Sequence, residues 1–217
     1  QGAVTDTLAL KVMFALNRDI MIRSFVLLGA FALLTRESAQ LGTLTLAANA
    51  VLMNFFLLAG YLLDGFATAA EQIAGRAVGA RYRPAFDRAV RLTALWGFVF
   101  AGVIAFLLLA FGEAFIAIVT TAPEVRAEAL RFLPWAALTA VAGVLAFQMD
   151  GVFIGATWSR DMRNMMLVSF AAYVAALLVL VPAFGNHGLW ASLHLFLIAR
   201  GLTLLMILPG RTRATFS

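Results

Sequence analysis

Two acids, Asp64 and Asp150, stand in stretches of this chain that are otherwise almost free of charge. A carboxyl among apolar residues bears on three kinds of chemistry: it can hold a cation, pass a proton, or neutralise a buried base. At 100° per residue, Asn54, Tyr61, Asp64, Thr68, Glu71 and Gly75 fall in one stripe about 100° wide on a segment otherwise dominated by apolar residues and alanine. Asp150 follows the uncharged run Phe132 to Met149, has Gln148 two residues before it, and shares a face with Thr139, Gly143 and Thr157. Ionisable groups in a hydrocarbon environment are costly and normally face a bundle interior or a watery cavity. Asp64, Asp150, Asn54, Tyr61, Thr68, Glu71 and Gln148 are therefore the candidate ion- or substrate-binding residues. A blander reading stands beside this one. Glu71 and Asp64 would already have left the hydrocarbon and would pair with Arg76 and its neighbours, and Asp150 would pair with Arg160 or Arg163. Arg200 is either a counter-ion or a cation snorkelling to an interface. His187 and His194 read as a turn residue and an interfacial imidazole rather than a proton relay.

The elements that position these groups follow from composition. Of the 217 residues 63% are hydrophobic and 12% charged, far from globular averages, so the chain is an all-α membrane protein. The net charge of +5 is scattered between apolar blocks, which excludes a nucleic-acid surface. With no cysteine there is no disulfide framework, thiolate metal site or cysteine nucleophile. The residues before position 20 carry Asp6, Lys11, Arg18 and Asp19 and the chain opens on Gln1, so it reads as a piece of a longer protein without a signal peptide.

About 20 apolar residues cross the bilayer core. Charge-free windows run from Ser38 to Leu63, Leu92 to Gly112, Phe132 to Met149 and Asn164 to Ala199, the last divided by the turn Pro182 to Gly188. A sixth span holds only if Arg23 and Arg36 snorkel. The expected helices are 20–40, 43–79, 92–112, 123–157, 163–182 and 188–209, with a cytoplasmic segment at 1–19 and a cytoplasmic tail at 210–217. Placing the N-terminus inside puts twelve cations on the cytoplasmic side and only Arg36, Arg126 and Arg131 on the other, so both termini are expected inside the inner or plasma membrane. Trp96, Trp135, Trp158 and Trp190 are expected at the interfaces as an aromatic belt. Thr121 to Glu124 reads as a capping box, and Gly75 with Gly79 as a GxxxG packing motif open to self-association.

Enzyme chemistry finds no support. Asp64-Gly65 and Asp150-Gly151 begin like the metal motif of membrane CDP-alcohol phosphotransferases, but Thr68-Ala69 and Ile154-Gly155 stand where Ala-Arg is needed, and Arg83 where the next Asp is needed. No Ser/His/Asp, HExxH or phosphate-loop pattern replaces it, and no cofactor or metal is implied.

Four stretches together carry a resemblance: Asp64 to Ala80, Gln148 to Asn164, Gly185-Asn-His-Gly-Leu-Trp190 and Val119-Thr-Thr-Ala-Pro-Glu-Val125. In order and spacing they resemble the multidrug and toxic compound extrusion (MATE) transporters, specifically the DinF-like branch, over the C-terminal six-helix lobe of a twelve-helix family. The resemblance implies one half of a secondary antiporter that exports small organic, often cationic compounds against proton or sodium entry, with an N-terminal six-helix lobe and the lipid bilayer as partners. In the sodium-linked NorM-like branch the cation-binding acids align with Leu27 and fall nearest Ala146, so sodium binding does not carry over. The alternative from another class is a standalone or truncated membrane subunit with a structural or assembly role and no transport of its own.

Overall fold

The computed structural model describes residues 7–217, which form six helices: α1 (Thr7–Gln40), α2 (Thr43–Gly79), α3 (Arg83–Val119), α4 (Pro123–Gly155), α5 (Ser159–Phe184) and α6 (Asn186–Phe216). The connections are one to three residues long, which forces sequential helices to lie antiparallel as neighbours. Five helices, α2 to α6, are long and apolar enough to cross a membrane. α1, at 34 residues, has the length, but its charges keep it outside that composition.

Several boundaries differ from the expected ones, each for a local reason. α1 starts at Thr7, so residues 7–19 extend the first helix instead of forming a separate segment. No Gly or Pro interrupts them, and Asp19 is buried against partners described below. Residues 1–6 lie outside the described residues. α3 starts at Arg83, with Pro84 in its first turn and an Arg83–Asp87 pair one turn apart at 3.4 Å, and it runs on to Val119. α4 ends at Gly155, two residues early, and α5 begins at Ser159, four residues early. α6 passes through Pro209 and takes in the expected tail. There Arg211 bonds Asp161 of α5 at 2.6 Å, Thr212 is buried, and the Phe216 ring packs on Phe86 at 5.5 Å.

The expected capping box does not form, since α4 is preceded by Ala122 with no side-chain cap. Instead the Arg126 guanidinium donates to the Thr120 and Ala117 carbonyls at 2.7 and 2.9 Å, satisfying the end of α3. The Pro182–Gly188 turn contracts to Gly185, whose φ of 61° is open to glycine at little steric cost. Trp190, near the start of α6, is fully buried within the bundle and faces no lipid, and its indole N–H donates to Asn49 at 3.0 Å.

α4 is the central element and is buried on nearly every side, whereas α3 and α5 show most of their surface outward. The deepest contact joins α2 to α4, and it is a backbone contact. A Cβ on Gly151 would overlap the Ala67 carbonyl, and one on Gly155 would overlap the Glu71 carbonyl. Small residues permit this closeness in a membrane, where packing and not water exclusion holds helices together. Gly75 joins it, 3.1 Å from the Gly155 carbonyl for a hypothetical Cβ. The GxxxG is thus spent half internally, and only Gly79 is left open. Ala70, Ala74, Met149, Val152 and Phe153 close one core beside this contact, and a larger core around Phe55, Phe56, Phe132, Trp190 and Phe196 fills the rest. Gly151→Ala and Gly155→Ala should each push α4 off α2 and cost about 1–3 kcal/mol. Gly102→Ala, where a Cβ meets nothing within 4 Å, should cost nothing. Thermal unfolding of the purified variants measures the difference.

Candidate functional site

The stripe on α2 divides along its length. Asn54, Tyr61, Asp64 and Thr68 are all exposed, with Tyr61 at 77%, on a flank of α2 beside its contact with α4. Glu71 is half-buried and makes no ion pair with Arg76 among the described residues. Asn54 satisfies its amide on its own helix, donating to the Ala50 and Val51 carbonyls at 3.0 and 3.3 Å. Asp64 has no ion-pair partner among the described residues. It lines a cleft of about 280 Å³ between α1, α2, α4 and α6. Leu27 and Phe31 of α1, Phe56 and Tyr61 of α2 and Phe147 of α4 form its apolar walls, and Arg200 of α6 lies against it. Leu27 lines the cleft with an aliphatic side chain, and Ala146 is buried in α4. Among the described residues no group of three or more His, Asp or Glu could hold a metal.

Asp150 takes neither expected partner. Its Oδ2 accepts from Arg23 Nη2 of α1 at 2.6 Å, from Arg23 Nε at 3.1 Å, and from Arg200 Nη2 of α6 at 2.7 Å. Arg200 is 3% exposed, so it is a counter-ion and not a snorkelling side chain, and its guanidinium also lies over the Phe196 ring at 5.6 Å. Arg23, expected to snorkel, is turned inward with its side chain 18% exposed. The reason is charge balance: a guanidinium this deep needs an anion, and Asp150 is the acid within reach of both.

Gln148, also buried, is held by its amide N–H donating to Val90 O at 3.1 Å and Thr93 Oγ1 at 3.0 Å, and so cross-links α4 to α3. It does not line the cleft. Of the seven candidates, then, Tyr61 and Asp64 share the cleft, Asn54, Thr68 and Glu71 flank it along α2, Asp150 sits behind Arg200, and Gln148 faces another helix.

Sequence reasoning missed two further polar clusters. Asp19 is buried and accepts from Arg163 Nη1 at 2.7 Å and from Ser159 Oγ at 3.1 Å, with exposed Arg18 alongside at 3.3 Å. At the opposite end of α1, Asn49 donates to Ser38 Oγ and Asn186 Oδ1, both at 2.8 Å, and accepts from Asn186 and Trp190, both at 3.0 Å. An Asn in the middle of the charge-free Ser38–Leu63 window, and another just before Trp190, were the available signals for this cluster. The histidines keep modest roles. Trp135 Nε1–H donates to His187 Nδ1 at 3.0 Å, and His194 Nε2 bonds the Trp135 carbonyl at 2.8 Å.

Removing one member of a buried ion cluster leaves the others unpaired. Asp150→Asn should therefore lower stability by about 3–5 kcal/mol, seen as a lower unfolding temperature and a poorer yield of folded protein. Asp64→Asn, at an exposed and unpaired site, should stay within about 0.5 kcal/mol of the parent.

With this geometry in place, the relatives of the chain can be stated. The MatE family model matches residues 20–180. Over 195 residues the chain is 40% identical to DNA damage-inducible protein F of Escherichia coli (strain K12), an alignment covering 90% of this chain and 42% of that protein. Over 180 residues it is 28% identical to Protein DETOXIFICATION 44, chloroplastic, of Arabidopsis thaliana, covering 82% and 34%. The chain thus spans less than half the length of these curated relatives. Its fold superposes with a TM-score of 0.82 on a MATE crystal structure in the bent conformation, at 16% identity over 91% of this chain and 45% of that one. It superposes with a TM-score of 0.83 on the outward-facing conformation of a multidrug resistance MATE family transporter of the MOP superfamily, at 16% identity over 94% and 46%. At that identity the likeness is one of fold. Because the family model spans most of its length and a relative 40% identical aligns with nine-tenths of it, the chain belongs to the MatE family.

Proposed function

We propose that this chain is the C-terminal half of a secondary antiporter that exports small organic compounds, cationic ones among them, against proton or sodium entry, and that its missing partner is an N-terminal six-helix lobe. MatE family members are transporters rather than enzymes. One observation carries the proposal. The polar stripe of Asn54, Tyr61, Asp64 and Thr68 is exposed beside an open cleft on a helix that spans the membrane. Lipid is a poor neighbour for such a face, and a second lobe enclosing a watery cavity is a good one. The half-length match to longer relatives supports the same reading. Asp64 is the residue of this lobe through which coupling or recognition would act. Asp150, whose Oδ2 is engaged by two guanidinium groups, would act through Arg200.

On this reading residues near the start of α1 continue an inter-lobe linker, residues 20–209 form the membrane lobe, and both termini face the cytoplasm. Sequence charge supports that orientation even with Arg23 turned inward, since Arg76, Arg81, Arg83, Arg88 and Arg91 gather at the α2–α3 connection and all are exposed.

Residues 1–217 expressed alone in an efflux-deficient bacterium should give no resistance to cationic dyes. Co-expression with the N-terminal lobe should restore some, and Asp64→Asn in the joined protein should reduce it several-fold at unchanged expression. Energised dye export by the lobe alone in liposomes would overturn the half-transporter reading. Orientation has its own test: in this cysteine-free chain, Arg83→Cys should resist a membrane-impermeant thiol reagent applied from outside, whereas Glu124→Cys should react.

A further inference from the structure

The cleft carries two opposite charges that do not meet. Asp64 and Arg200 line the same cavity of about 280 Å³, yet no ion pair joins them. Arg200 is 3% exposed and its Nε has no hydrogen-bond partner among the described residues, although Nη2 is held by Asp150. A guanidinium carries five N–H donors, and Arg200 bonds Asp150 through Nη2 alone, so the side chain that lines the cleft keeps donor capacity and positive charge for an oxyanion. The surrounding charge points the same way. Arg23 and Arg200 share a single carboxylate, Asp150, leaving one positive charge in excess on the cleft floor. Asp64 on the α2 wall supplies the balancing negative charge without touching it. The rings of Phe31, Phe56 and Phe147 line the same cleft.

We propose that this cleft is a dipolar binding site for zwitterionic molecules, with the ligand's acid group against Arg200, its ammonium against Asp64 and an apolar or aromatic body along the phenylalanines. The proposal rests on the exporter reading and names a substrate class for it. An organic cation would gain Asp64 but lie against Arg200, and an organic anion would meet the reverse. Each mismatch counts against the singly charged ligand, so the site selects by repulsion as well as attraction. Because Arg23, Asp150, Arg200 and Asp64 sum to zero, a ligand neutral overall adds no net charge to a site beside the hydrocarbon. The volume lies just below the roughly 300–1,000 Å³ of drug-sized pockets and suits a compact ligand with one ring.

Three probes share one body and differ only in charge: phenylalanine, phenethylamine and 3-phenylpropionate. Their binding to the full-length protein in nanodiscs is measured by saturation-transfer NMR. Phenylalanine should bind about tenfold tighter than either singly charged probe. Asp64→Asn should weaken phenylalanine about tenfold while leaving 3-phenylpropionate at least as tight, and Arg200→Met should do the mirror image, sparing phenethylamine. Arg200→Met leaves Asp150 with Arg23 as a neutral pair, and Asp64→Asn alters an exposed residue, so the second carries the test if the first does not fold. Phenethylamine binding as tightly as phenylalanine, no binding of any probe, or an Asp64→Asn protein with an unchanged ranking would each overturn the proposal. Energised export of phenylalanine and of a cationic dye by the same preparation separates the two readings. Dye export without any zwitterion preference removes only the dipolar site, whereas export of neither compound removes the transporter.

Discussion

Asp150 is the anion on which three helices converge. It comes from α4, the most enclosed element of the lobe, and receives one guanidinium from α1 and one from α6. Where water is scarce, neither arginine could be kept inward without it, and α1, whose composition is the least suited to a bilayer, would lose its main ionic tie to the centre of the lobe. The same triad sets the electrostatics of the open cleft, because its unbalanced cation lies against the cavity. Architecture and the charge of the cleft are thus coupled through one carboxylate.

Around that point the lobe is divided by chemistry. The face of α2 toward α4 is rich in buried alanines, and the backbones of Ala67 and Glu71 meet the α4 glycines there. An adjoining face presents Asn54, Tyr61, Asp64 and Thr68. One helix therefore serves as an internal packing strut and as a wall of the cleft. The period of 3.6 residues keeps the two uses apart over its length.

Much of this was legible from residue types alone. Charge-free windows located the helices, because the bilayer sets a minimum apolar length, and the wheel of α2 placed its polar face correctly because a helix has a fixed period. What could not be read was pairing across helices. Asp150 had Arg160 and Arg163 nearby in sequence, but its partners lie 127 and 50 residues away in Arg23 and Arg200. Arg163 is used instead by Asp19. Trp190 was read from its place near a helix end, which gave no sign that its indole turns into the bundle to meet a buried acceptor on Asn49. Helix ends were missed wherever charged residues continued a helix beyond the hydrocarbon, as at the starts of α1 and α3 and the end of α6, since hydropathy reports the bilayer's thickness and not the helix's length.

The Asn49–Asn186 exchange has a mechanical meaning. It fastens α2 to α6, with Ser38 of α1 and the Trp190 indole drawn into the same knot. Farther down α1, Arg23 ties it to α4 and α6, and Asp19 ties it to α5. A bundle stapled at three heights resists shear between its own helices. Any rigid-body motion of such a bundle would turn it as a single block.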